Sequence, residues 1–181
     1  MKTLPEILLR LFLTALLVAI PFTTRSQSGQ ELKEMQVKAA YLYNFTKFVY
    51  WNTRADVVEP VTIGLIKADN IAFLLEDFIK TRAPESGVMV KRINSSEADL
   101  ADCQFVYIDQ SQKDKLTEIL KNIKDDKVLT VSDIYGFARR GGMIGFFQED
   151  GHIKIEINLT EVNKAGLEVS AKLMEVARIV K

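Results

Sequence analysis

The apolar positions of the chain alternate between two periods. Met35, Ala39, Leu42, Phe45 and Val49 recur at steps of three and four, which places them on one face of a helix over residues 31–50. Trp51-Asn52 breaks that pattern. After Pro60, the β-rich run Val61–Ile66 predicts a strand. A helix carrying Ile71, Leu74, Leu75 and Phe78 is expected from Asn70. Val88–Val90 reads as a second, short strand, and Ser95-Ser96-Glu97 as the start of a helical turn to Leu100. Phe105–Ile108 is apolar at every position, the mark of a strand covered on both faces. Ser111 is expected to cap a helix through Leu116, Ile119, Leu120 and Ile123. Val128–Val131 is a fourth strand, and Ser132-Asp133 is expected to cap a short helix to about Arg139.

The last third reads differently. Gly142–Phe147 and His152–Ile157 flank Asp150-Gly151, a dipeptide that favours a tight hairpin turn. Ile153, Ile155 and Ile157 alternate with polar residues, so this strand is expected to keep one wet face. Asn158 is placed to cap a helix from Leu159. Val162 to Val180 reads as helical with a break near Gly166 and a stripe of Val169, Leu173, Val176 and Val180. Strand-helix alternation implies an α/β fold: a single domain with a mainly parallel sheet flanked by helices, a C-terminal antiparallel hairpin and a closing helix. With no internal repeat or linker, that domain is expected over residues 30–181.

Lys2 and Arg10 precede a run of about a dozen apolar residues, Leu11 to Phe22, interrupted by Pro21. A membrane-spanning helix needs roughly 20. Residues 1–26 are therefore expected to be a signal peptide, with an uncleaved anchor as the alternative. Export would place the domain in an oxidising compartment.

Composition narrows the function. The 24 basic and 24 acidic residues cancel, which argues against a broad nucleic-acid footprint. A single cysteine, Cys103, cannot form an internal disulfide or a cysteine zinc cluster, and it opens an apolar strand as a buried small side chain would. A single histidine, His152, removes most Ser-His-Asp and zinc constellations, so no catalytic residue, metal site or cofactor is assigned.

Three sequence blocks occur in register. They are Val37 to Trp51; Val128–Asp133 leading to Gly141–Phe147; and Ile153–Asn158 running into Ala165–Met174. Together they resemble the YfiR-like family, which includes HmsC-like proteins. That resemblance implies a small periplasmic α/β protein that binds the periplasmic sensor domain of an inner-membrane diguanylate cyclase and represses it. It also implies sequestration by an outer-membrane partner, a homodimer, and an output in cyclic-di-GMP, exopolysaccharide and biofilm. Relatives also occur as sensor modules of kinases. Well-studied members carry several cysteines, whereas this chain has Cys103 alone, so a switch through an internal disulfide is excluded by count. The family's Trp-Pro is here Trp51-Asn52.

Two candidate sites follow. Trp51, with Tyr50 and Phe48, either anchors a protein partner, as tryptophan often does, or closes the rim of the core. Asp133, Arg139, Arg140 and Asn158 are the candidates for ligand binding. Two adjacent guanidinium groups beside Gly141-Gly142 could hold a carboxylate or phosphate, although a solvated turn has the same composition. Strand carboxyl ends are where open parallel sheets bind ligands, and Asp109 and Asp133 follow two of them. The function expected is a regulatory binding protein. The alternatives are a small-ligand-binding sensor module without a cyclase partner and, more remotely, a hydrolase working through Asp109, Asp133 or Glu156.

Overall fold

The computed structural model describes residues 24–51, 60–94, 100, 102–123 and 127–181. The expected leader falls outside these up to residue 23, as does the expected turn at Ser95–Glu97. The chain divides into two units, residues 1–33 and 34–181. The second holds the strands and the cavity described here. No helix among the described residues is long and apolar enough to cross a membrane.

Helix α1, Thr24–Phe48, runs straight into the short strand β1, Val49–Trp51. The elements that follow are β2 (Thr62–Ile66), α2 (Asp69–Arg82), β3 (Met89–Ile93) and β4 (Phe105–Ile108). Then come α3 (Leu116–Ile123), β5 (Leu129–Ser132), β6 (Ile144–Glu149) and β7 (His152–Asn158). The chain closes with α4 (Leu159–Lys164), β8 (Leu167–Val169), α5 (Ala171–Glu175) and β9 (Ala177–Val180). Seven strands form one sheet in the order β3-β2-β4-β5-β6-β7-β9. Neighbours from β3 to β6 are parallel, β7 is antiparallel to β6, and β9 is parallel to β7. β1 and β8 make a separate antiparallel pair. The expected fold class is the one observed.

Strand alternation sorts the core into two clusters. Phe105 and Tyr107 of β4 join α1 and α2 on one side, while Val106 and Ile108 join α3 on the other. Asp150 and Gly151 both take positive φ, +51° and +73°, which is the turn that suits a two-residue hairpin, and glycine adopts it without Cβ strain. Asn158 caps α4 as expected, accepting from the Glu161 N–H at 3.1 Å. Cys103 is buried.

Three local expectations change. The cap before α3 is Asp109, which accepts from Ser111 N–H and starts a 3-10 turn over Gln110–Gln112, so α3 opens later, at Leu116. Ser132 does not cap a helix: its hydroxyl donates to Ile108 O at 2.6 Å and accepts from Ile134 N–H at 3.0 Å, turning the chain out of β5. The stretch after Val162 is not one broken helix. Gly166, at φ +69°, ends α4, Ser170 caps the five-residue α5, and β-branched Ile179 and Val180 pair with β7 as the edge strand β9.

Candidate functional site

The site forms where β5 ends early. β5 meets β6 at two registers only, Val131↔Ile144 and Ser132↔Gly145, while β6 continues to Glu149 with β7 alone beside it. A cavity of about 620 Å³ lies against that extension, a volume within the usual range for small-ligand sites. Asp133, the first residue beyond β5, reaches it from one side, and α1 supplies Glu34 and Lys38.

Lys38 organises the inner end. Its Nζ lies 2.7 Å from Asp133 Oδ2 and 2.8 Å from Glu34 Oε1. The other Glu34 oxygen, Oε2, accepts from Gln148 Nε2 at 2.6 Å. Burial opposes the Lys38 charge, but the hydrogen bonds and charges of Asp133 and Glu34 outweigh it and hold the ammonium pKa above its ordinary value. The buried Tyr107 hydroxyl faces the Asp133 carboxylate from behind this end. Burial, reinforced by the charges of Asp133 and Asp109 and by a side-chain hydrogen bond with Asp133, pushes the Tyr107 hydroxyl well above the usual tyrosine range.

The outer end is built from β6, β7 and β9. Glu156 sits across from Gly145 in one register and from Arg178 in the next. Its carboxylate is buried and lies 3.7 Å from Arg139 Nε. Arg178 pairs with Glu149 and stacks 4.3 Å from the Phe147 ring centroid. Tyr135 stands almost fully exposed at the cavity rim.

The structure brings together two of the four expected ligand residues, Asp133 and Arg139. Arg140 does not join them: it donates to Lys113 O at 3.4 Å, so the two guanidinium groups do not act as a pair. Asn158 is a buried strut, donating to Ala138 O at 2.8 Å and so fixing the 3-10 turn Phe137–Arg140. Gly142 serves packing, since a Cβ there would lie 2.1 Å from the Phe137 ring. Among the aromatic candidates, Trp51 donates to Gln104 O at 3.0 Å and packs on the core with half-buried Phe48, while Tyr50 is 53% exposed. Asp133 and Glu156 line the same cavity, each in an ion pair, and Asp109 is engaged in capping. His152 lies exposed at the hairpin, its Nδ1 2.8 Å from Asp150 O.

Sequence reasoning missed Lys38 and misread Glu156. Lys38 is in phase with Leu42 and Phe45, a charge inside the apolar stripe, and that phase was the available signal. The alternation of Ile153, Ile155 and Ile157 puts Glu156 on the face expected to be wet, yet the turn holding Arg139 covers it.

No curated protein matches the chain. Among solved structures it is similar to a Streptococcus pneumonia protein described as the ABC domain in complex with L-Trp, with 13% identity and a TM-score of 0.57. The alignment covers 78% of this chain and 60% of that one. It is also similar to a conserved domain protein from Vibrio cholerae, at 11% identity and a TM-score of 0.58, covering 81% of this chain and 60% of that one. Such distant likeness establishes a shared fold, and this chain spans less than two thirds of either structure. Residues 35–178 match the sequence profile of the YfiR/HmsC-like family, and the chain belongs to that family.

Proposed function

We propose that this protein is an exported periplasmic regulator that docks on the periplasmic sensor domain of an inner-membrane signalling enzyme, of diguanylate cyclase type, and holds it inactive. The output is lower cyclic-di-GMP, and with it less exopolysaccharide and biofilm. The observation that carries this reading is the family match over residues 35–178, which takes in all three sequence blocks. Repression by contact requires no chemistry in the regulator, only tighter binding to the inactive form. A preference of about 2.8 kcal/mol shifts such an equilibrium a hundredfold. The near-neutral chain suits an apolar-centred docking surface more than charge steering, and exposed Tyr50, backed by Trp51 and Phe48, is the surface we assign to it. A homodimer and an outer-membrane sequestering partner belong to the same proposal. Crosslinking and pull-down of the mature protein from envelope extracts test it. Recovery of a membrane signalling enzyme is the expected result, and recovery of no envelope protein at all would overturn it.

One observation favours a second reading, a small-ligand sensor. The cavity has a volume of about 620 Å³ and lies at strand carboxyl ends. Thermal stabilisation by a metabolite, without any recovered partner, is its signature. The two readings combine if a ligand tunes docking.

A further inference from the structure

We propose that the free edge of β6 takes an extended segment of a protein partner, which adds to the sheet as a strand in the line that β5 leaves open. The proposal rests on the docking reading above for the existence of a protein partner, and it adds a contact apart from Tyr50. Its first support is the hydrogen-bond phase of the hairpin. Asn158 N–H donates to Met143 O at 2.8 Å, so residues 143, 145, 147 and 149 turn their backbone groups toward β7. Phe146 and Gln148 turn theirs the other way. β5 occupies that side only as far as Gly145. Past it, no strand among the described residues pairs with Gln148 on that side. The stretch from Phe146 to Glu149 leaves an edge of about 13 Å, at about 3.3 Å per residue.

The second support is where the cavity draws its walls. Residues directly opposite in the ladder share a face, so Phe146 and Gln148 lie with Ile153 on the face that α1 covers. Phe147, Glu156 and Arg178 lie on the other face. The cavity is lined from both sets at once, so it wraps around the edge of β6 rather than lying on one face of the sheet. An extended chain fits that shape: its backbone meets the edge, and its side chains alternate between the two faces. On one face Phe146 and Ile153 offer apolar contact. On the other, Arg139 has a single ion contact, 3.7 Å to Glu156, and no hydrogen bond among the described residues, so its donors are open to an acidic side chain. The segment that fits therefore alternates apolar and acidic residues. β6 itself, with Phe146-Phe147-Gln148-Glu149 along this edge, has no such alternation, which favours a different chain over a second copy.

Titration of the full mature protein with the capped peptide acetyl-Val-Glu-Val-Glu-Val-amide, followed by amide hydrogen exchange, tests this. The Gln148 amide should exchange quickly in the free protein and slow by about tenfold or more when the peptide is bound. Gln148→Pro removes that outward N–H at an edge position, which proline tolerates. It should weaken the peptide about tenfold relative to Gln148→Ala, which loses the same side-chain bond to Glu34 but keeps the N–H. Circular dichroism checks that both variants are folded, and the Gln148 exchange rate in the wild-type chain decides if the proline variant is not. Equal affinity in the two variants, an unprotected Gln148 amide, or no binding at millimolar concentration overturns the proposal. Self-association of the wild-type chain that Gln148→Pro abolishes gives the edge to a second copy and overturns the partner segment. Undiminished recovery of the membrane signalling enzyme by Gln148→Pro overturns the edge contact and leaves the docking reading standing.

Discussion

The two helices that cover opposite faces of the same sheet, α1 and α3, do different work. α3 turns Leu116, Ile119, Leu120 and Ile123 inward onto Val106, Ile108 and Phe137, and the cluster they close is apolar throughout. α1 buries Ala39, Leu42 and Phe45 in the same manner, but one turn before Leu42 it inserts Lys38 into that stripe. A buried ammonium is costly unless it is paired, and Lys38 is paired twice. The α3 side is therefore scaffold. The N-terminal end of the α1 side is where charged groups are buried beside a cavity, as functional sites commonly are.

The largest expected effect lies on the scaffold side. Phe137 is fully buried, and Phe137→Ala should cost about 4 kcal/mol in urea unfolding through cavity formation. On the other side, Lys38→Met should cost about 3 kcal/mol, because it strands two carboxylates, and adding Asp133→Asn should recover part of the loss in a double-mutant cycle. Simple additivity in that cycle would erase the contrast between the helices.

A pH titration sharpens the contrast further. Lys38 has a folded pKa raised above its unfolded value, so its stabilisation is complete below about 10 and is lost as pH rises through the folded value. Tyr107 is raised as well. It stays neutral in the fold while the unfolded chain ionises above about 10, which also removes stability at alkaline pH. Urea midpoints should therefore hold steady from neutral pH to about 10 and fall above it, with a shallower fall in Tyr107→Phe. An equal fall in that variant would show that the hydroxyl contributes nothing. The smallest stability effect is expected at the surface. Tyr50→Ala should change stability by no more than about 0.5 kcal/mol while weakening capture of the envelope partner.

Much of this was legible in the chain. β4 and the Asp150-Gly151 turn follow from local pattern, because a strand covered on both faces and a two-residue hairpin each leave a short-range signature. So does the Asn158 cap. The closing segment was harder to read, since Val169, Leu173, Val176 and Val180 fit a helical period. It was pairing with β7, a long-range event, that made Ala177–Val180 a strand. The site was half legible. The strand-end rule pointed to Asp133, and the adjacent arginines pointed to Arg139. Lys38 comes from a helix 95 positions away in sequence, and only tertiary packing brings it to Asp133. The separation of Arg140 from Arg139 depends on the 3-10 turn, which sends consecutive side chains in different directions.

The proposed regulator acts through contact with a membrane signalling enzyme. Cyclic-di-GMP measured in cells lacking the gene, and in the same cells supplied with the wild-type chain or with Tyr50→Ala, tests it most directly. Deletion should raise the nucleotide, the wild-type chain should bring it back down, and the variant should do so less completely. An unchanged nucleotide level across all of these strains would contradict it.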